Sequence, residues 1–83
     1  MAKKTPPTPE DLQKMKGGMD AAELDFVNAK TAYYNKATYK DAPVDYEALE
    51  KFAESFIAAN YAYQKALYGK IHIKLSVSRL LRE

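Results

Sequence analysis

The side chains that could support catalysis are sparse in this sequence. His72 is the only histidine, and Ser76 follows it about one helical turn later. A serine nucleophile needs a base that an acid holds in place, yet no aspartate or glutamate lies close to His72 along the chain. The pair therefore offers little support for a Ser-His-Asp arrangement. We expect a protein that is not an enzyme and has no catalytic residue.

Metal and cofactor sites have equally little support. The carboxylates of Glu47, Glu50 and Glu54 recur along a predicted helix, but they lack the Glu-x-x-His pattern of di-iron bundles. The chain has no cysteine, which excludes thiolate zinc sites and disulfides. Gly17-Gly18 lacks the motif of a phosphate-binding loop and the strand that precedes it. We expect no metal and no cofactor, and we interpret the carboxylates as a solvated acidic surface.

Length and composition describe a small folded domain with a marginal core. The chain has 83 residues, of which 47% are hydrophobic and 29% are charged. This balance is typical of globular chains rather than disordered ones. A domain of this size buries only about 60–65% of the surface that its unfolded chain exposes. Because no disulfide can form, oligomerisation is the remaining common source of extra stability.

The N-terminal residues predict a tail rather than a targeting segment. Residues 1–7, MAKKTPP, are polar and proline-rich, and we expect a flexible tail followed by a single helical-hairpin domain over residues 8–83. A signal peptide needs an apolar stretch where this sequence has TPPTPED, and no window approaches the roughly 18 apolar residues of a membrane span. We therefore expect no transmembrane segment, and a protein that is either cytoplasmic or exported without a cleaved signal peptide.

The first helix is predicted by a cap and a heptad pattern. Thr8 can cap the helix, and Pro9 suits its first position. Apolar or small side chains then recur every three and four residues, as in coiled coils, at Leu12, Met15, Met19, Ala22, Phe26, Ala29 and Tyr33. We predict a helix over about 9–38, kinked near Gly17-Gly18 because each glycine costs about 1 kcal/mol relative to alanine.

A second helix follows a turn that contains Pro43. Asp45 can cap this helix, and the same spacing recurs at Leu49, Phe52, Phe56, Ala59, Tyr63 and Ala66. Two long helices joined by about six residues imply an antiparallel hairpin. The pattern continues through Ile73, Val77 and Leu80, so we predict one helix over about 46–81, flexed at Gly69.

The stretch YGKIHIKLSVSR, residues 68–79, also fits a strand. Its apolar residues alternate at Ile71, Ile73, Leu75 and Val77, which is the period of a half-buried strand. Such a strand would be the only one in the chain, so it could pair only with a strand of another molecule. The continuing heptad pattern favours the helix, and the intermolecular strand remains the alternative.

Each predicted helix carries a second apolar stripe beside its heptad seam. A two-helix hairpin buries one stripe per helix, and leaving the other wet forgoes about 1.5–3 kcal/mol per large side chain. The residues predicted to contact a partner are Leu24, Val27, Tyr34, Ile57, Tyr61, Tyr68, Ile71 and Leu75. The predicted fold class is therefore all-α, an antiparallel helical hairpin that completes its core by oligomerisation into a bundle or by docking on a partner.

Charges favour the antiparallel arrangement and bear on the kind of partner. The start of the second helix is acidic and the end of the first is basic, while the basic residues of 65–82 lie opposite acidic residues of the first helix. Such pairs select orientation more than they stabilise. The net charge is only +2, which argues against a nucleic-acid partner. Pairing of the lysines within the hairpin leaves membrane-surface contact through residues 65–82 as a minor alternative.

These patterns predict a non-enzymatic protein-protein interaction module that self-associates, most simply as a dimeric four-helix bundle. A first alternative is a structural subunit of a helical filament, secretion apparatus or particle. In outline the chain resembles the needle subunits of type III secretion systems, which are short helical hairpins with a proline-containing turn. The resemblance spans most of the chain and is one of architecture, not of a shared motif. A second alternative is a small adaptor or inhibitor that binds a larger protein through its second apolar stripe.

Overall fold

Two long helices packed side by side dominate the computed structural model, which describes residues 8–82. Helix α1 spans Pro9–Tyr34 and helix α2 spans Tyr46–Tyr68. They run in opposite directions, since Phe26 stacks on Phe56 while Tyr33 contacts Tyr46. The predicted all-α helical hairpin is confirmed. The tail predicted for residues 1–7 lies outside the described residues.

Local signals set the ends of α1. Thr8 and Asp11 form a capping box, in which each side chain accepts a hydrogen bond from the other residue's backbone N–H. The helix continues through Gly17 and Gly18 without a break. It ends at Tyr34, four residues before the predicted limit near 38, because Lys36 adopts a positive φ of 54°. The Ala37 N–H then bonds to the Ala32 carbonyl, which is the Schellman termination of a helix.

The connection between the helices contains a small hairpin that the sequence did not predict. Strand β1, Thr38–Tyr39, pairs antiparallel with strand β2, Ala42–Pro43. The two residues between them, Lys40 and Asp41, both have positive φ, at 54° and 62°, as the type I′ turn requires. The usual sequence signal for this turn is Asn-Gly or Asp-Gly, which is missing here.

The core lies between the two helices and follows the predicted seams. Its buried members are Phe26, Ala29, Leu49, Ala53, Phe56 and Leu81. The alanines let the helices approach closely, and the two phenylalanine rings stack with their centroids 6.5 Å apart. Leu81 reaches this core from the far end of the chain.

The predicted continuation of the second helix to about 81 is wrong beyond Tyr68. Gly69 has a φ of 79° and caps α2 in the left-handed conformation, which glycine adopts without steric cost. Residues 70–76 form no regular helix or strand, and a short helix α3 follows at Val77–Arg82. Residues 70–82, the return segment, therefore fold back on the hairpin. Ile71 and Ile73 are β-branched and hold a helix weakly, and the return places Leu81 in the core.

Two side chains of α2 bond the backbone of the return segment. The buried Gln64 accepts hydrogen bonds from the backbone N–H groups of His72 and Ile73, both 2.8 Å long, and donates to the Ile73 carbonyl at 2.9 Å. The Tyr61 hydroxyl donates to the Leu75 carbonyl at 2.8 Å and accepts from the Leu75 N–H at 2.7 Å. The segment is thus bonded much as a strand would be, but its partners are side chains of the same molecule.

Helix α3 is fixed at both ends. The Ser76 hydroxyl accepts a hydrogen bond from the Arg79 N–H at its start. At its end, Lys30 Nζ donates to the Leu80 carbonyl at 2.8 Å, and the Tyr34 hydroxyl donates to the Leu81 carbonyl at 2.9 Å. The carbonyls at a helix C-terminus have no partner within the helix, so side chains of α1 satisfy them here.

We predict that Tyr61→Phe lowers the free energy of unfolding by about 1–3 kcal/mol, because it leaves the half-buried N–H and carbonyl of Leu75 without partners. Urea denaturation measures the loss, and faster amide exchange at Leu75 would locate it. Tyr63→Phe is the matched control, since the Tyr63 hydroxyl makes no hydrogen bond with any residue in 8–82. Equal stabilities of the two variants would show that the return segment is held by other contacts.

We predict that Lys36→Gly raises the free energy of unfolding by about 0.5–1 kcal/mol, because glycine relieves the strain of the left-handed conformation. Thermal or urea unfolding measures the change. The neighbouring Ala37→Gly should instead destabilise the protein, since φ at Ala37 is not positive and glycine only adds unfolded-state entropy there. A loss of stability in Lys36→Gly would contradict the prediction.

Candidate functional site

The eight residues predicted to contact a partner do not form one surface. The return segment packs along α2 and covers part of its second stripe, so that half of them remain exposed and half become partly buried. Exposed are Leu24, Val27, Tyr34 and Tyr68, whereas Ile57, Tyr61, Ile71 and Leu75 are half-buried.

The covered half is satisfied within the chain. Tyr61 bonds to the backbone of Leu75, and the Leu75 side chain packs against the hydrophobic core. The return segment therefore covers part of the second stripe of α2, for which the sequence implied a separate partner molecule. The remaining apolar exposure lies mainly on α1 and at the end of α2.

The α1 outer face, defined by Leu24, Val27 and Tyr34, is the candidate site. These side chains are 61%, 48% and 61% exposed. Intervals of three and seven residues place them on one side of a helix. No described part of the chain covers them, and three large apolar groups exposed on one side of a helix are typical of an interaction surface.

Tyr34 is held rigidly at one end of this face. Its hydroxyl bonds to the Leu81 carbonyl while its ring stays exposed. The ring separates two shallow grooves, one that reaches Leu80 and one that reaches Pro43 and Val44. An aromatic side chain already fixed in place loses little conformational entropy on binding, which is what an interface anchor needs.

Lys30 lines the groove that reaches Leu80, but its ammonium group already has partners within the chain. Its ammonium donates to the Leu80 carbonyl at the negative end of α3 and lies 5.9 Å from the centre of the Phe26 ring. The groove therefore has an apolar floor and no free cation among its lining residues. An apolar protein surface fits this groove better than an anionic ligand does.

A polar cluster borders the α1 outer face beside Leu24. The Tyr39 hydroxyl donates a hydrogen bond to Asp25, and Lys40 Nζ lies 3.3 Å from the same carboxylate. The hydrogen bond from Tyr39, followed by the interactions with Lys40, lowers the pKa of Asp25 below its ordinary value of 3.8. The same hydrogen bond raises the pKa of Tyr39 above 10.0. The cluster ties the inter-helix hairpin to the middle of α1.

The residues considered for catalysis have structural contacts. Ser76 caps α3, and the His72 ring meets the edge of the Tyr68 ring with centroids 4.6 Å apart. Within residues 8–82, no three histidine, aspartate or glutamate side chains are grouped so that they could hold a metal ion. No helix in the same range is long and apolar enough to cross a bilayer.

Comparison with protein-family models, with curated proteins and with solved structures found no match to this chain. Function is therefore inferred from the geometry of the described residues.

One exposed area escaped the sequence-based prediction. Ile73 was expected in the seam of a continuous helix, but it is 65% exposed. Leu67, at the end of α2, is also exposed. The reversal at Gly69 causes the difference, because it changes which side of the following residues faces the hairpin. Gly69, where the sequence predicted a flexed helix, was the one local signal for this reversal.

We predict that Tyr39→Phe raises the pKa of Asp25 toward 3.8, because the mutation removes the main hydrogen bond to the ionised carboxylate. Since the folded-state pKa is the lower one, this carboxylate contributes stability above the unfolded-state pKa and loses it as pH falls through the folded-state pKa. Carboxyl NMR titration measures the shift. Tyr46→Phe, which removes another exposed tyrosine hydroxyl, should leave the pKa of Asp25 unchanged. An unchanged value in Tyr39→Phe would contradict the assignment.

Proposed function

We propose that this chain is a non-enzymatic interaction module that self-associates through the α1 outer face as a twofold dimer. The observation that carries the proposal is the exposure of Leu24, Val27 and Tyr34 on one side of α1 after the return segment has covered part of α2. Burying these side chains against a second copy would recover hydrophobic free energy that the monomer forgoes.

A glycine on the same face supports a helix as the occupant. Gly17 precedes Leu24 by seven residues, close to two full turns, so both lie on one side of α1. A Cβ built at Gly17 would meet nothing within 4 Å. The described chain therefore has no steric need for glycine there, although glycine costs this helix about 1 kcal/mol relative to alanine. A second helix that packs closely against α1 at this position would explain the glycine, because a side chain there would keep the two helices apart.

The α1 outer face is self-complementary in an antiparallel pair. With a twofold axis midway between Asp20 and Ala21, Leu24 of one copy packs over Gly17 of the other, and the reverse contact follows by symmetry. Two hairpins paired in this way place four helices in one layer, with the two copies of α1 in the middle.

The second candidate function is a structural subunit of a helical filament, secretion apparatus or particle. It is favoured by a separate exposed apolar area at the end of α2, where Leu67, Tyr68 and Ile73 lie. Two different surfaces can contact two different neighbours and give an open assembly. Assemblies of variable length in electron micrographs would favour this candidate. A monomer that binds an apolar-surface dye would favour an adaptor or inhibitor.

We predict that Leu24→Gln combined with Val27→Gln weakens dimerisation at least tenfold, because both changes remove apolar area from the proposed contact. Sedimentation equilibrium measures the dissociation constant, and circular dichroism confirms that helicity is kept. Ile73→Gln is the matched control, since it removes an equally exposed apolar side chain away from α1.

A second pair of variants tests the register. Gly17→Leu should dissociate the dimer, whereas Gly18→Leu, which projects about 100° around the helix, should not. A Cβ at either position meets no atom of the described chain within 4 Å, and circular dichroism checks that each variant keeps its helicity. A wild-type protein that stays monomeric at high concentration, or a Gly17→Leu protein that dimerises normally, would overturn the proposal.

A further inference from the structure

The lysines near the end of α2 are not neutralised as the sequence suggested. Lys65, Lys70 and Lys74 are exposed, and no ion pair within residues 8–82 includes any of them. Of the acidic residues of α1 expected opposite them, Asp20 pairs with Lys16 and Asp25 with Lys40, while Glu10 and Glu23 join no ion pair within residues 8–82. Asp11, at the start of α1, is engaged in the capping box. Three cationic side chains are therefore available to an external anion.

Large apolar side chains lie among these lysines. Leu67, Tyr68 and Ile73 are 41%, 57% and 65% exposed. The reversal at Gly69 brings the two sides of this stretch together, since Tyr68 and Ile73 line one groove and Tyr68 contacts His72. We call this area the distal tip, because it lies at the end of α2 away from the inter-helix hairpin. Its defining residues are Lys65, Leu67, Tyr68, Lys70, Ile73 and Lys74.

We propose that the distal tip docks on an anionic lipid surface. Aliphatic groups such as Leu67 and Ile73 gain free energy by entering the headgroup and acyl boundary, and a tyrosine suits the interfacial level. Lysines beside them are attracted to the negative potential of anionic headgroups. Apolar and cationic side chains that are exposed together at this end of α2 are complementary to a lipid interface in both charge and polarity.

Nucleic acid fits the same tip less well. Leu67 and Ile73 neither stack on bases as aromatic rings do nor donate hydrogen bonds to them. The net charge of +2 gives the chain little of the long-range attraction that nucleic-acid binders use. The exposure of Leu67 and Ile73 therefore favours an anionic lipid surface over nucleic acid as the ligand of the distal tip.

The test is flotation of the full chain with vesicles of phosphatidylcholine, with and without phosphatidylserine. We expect binding to the anionic vesicles that falls with added salt, and much weaker binding to phosphatidylcholine alone. Leu67→Gln with Ile73→Gln should weaken binding at least tenfold, and Lys70→Gln with Lys74→Gln should weaken it roughly tenfold or more while reducing the salt dependence. Tyr46→Gln, which removes an exposed side chain at the opposite end of α2, should bind like the wild type.

Several outcomes would overturn the proposal. Absence of binding to anionic vesicles, equal binding to both kinds of vesicle, or wild-type binding by the tip variants would each do so. Tip variants that lower the solution mass would show that a second copy occupies the tip, and tip-dependent binding of single-stranded DNA in preference to vesicles would assign it to nucleic acid. The mass of the α1 outer-face variant tests self-association separately, so the two proposals can fail independently.

Discussion

The buried carboxamide of Gln64 is the contact on which the rest of the structure depends. A segment without regular structure can lie against a helix only if its buried backbone groups find partners, because the backbone of the helix is already fully bonded. Gln64 is only 6% exposed, and its oxygen and nitrogen serve His72, Ile73 and the neighbouring Asn60. Together with the Tyr61 hydroxyl, it gives the backbone of the return segment the hydrogen-bond partners that a neighbouring strand would otherwise supply.

This arrangement changes what the hairpin has left to bury. Two bare helices would expose apolar stripes along both rods, but the return segment covers part of α2 and sends Leu81 into the core. The exposed apolar side chains then separate into the α1 outer face and the distal tip. The groove beside the first that reaches Leu80 has one lysine, Lys30, whose ammonium is engaged, whereas three exposed lysines lie among the apolar residues of the second. The difference in charge is why we assign a protein partner to one and a lipid surface to the other.

Short-range pairing explains how that charge difference arises. Lys16 pairs with Asp20 and Lys51 with Glu47, each one turn away on the same helix. Such pairs form at little entropic cost compared with contacts between helices, although each stabilises only slightly. One acidic group of α1, Asp20, is thereby engaged by its own helix, and the lysines of the distal tip are exposed to solvent without an ion pair among the described residues.

The sequence by itself determined the two helices, their caps at Thr8 and Asp45, and the seams through Phe26 and Phe56, because capping and heptad spacing are local. It also singled out Leu24, Val27 and Tyr34 as residues without a partner in the hairpin. Only the tertiary structure decided the path after Gly69, since the heptad pattern and the strand-like alternation both fit residues 70–82. The choice depends on hydrogen bonds from Gln64, Tyr61, Lys30 and Tyr34 to backbone groups 8 to 50 residues away along the chain. Contacts between residues so far apart leave no periodic trace in the sequence.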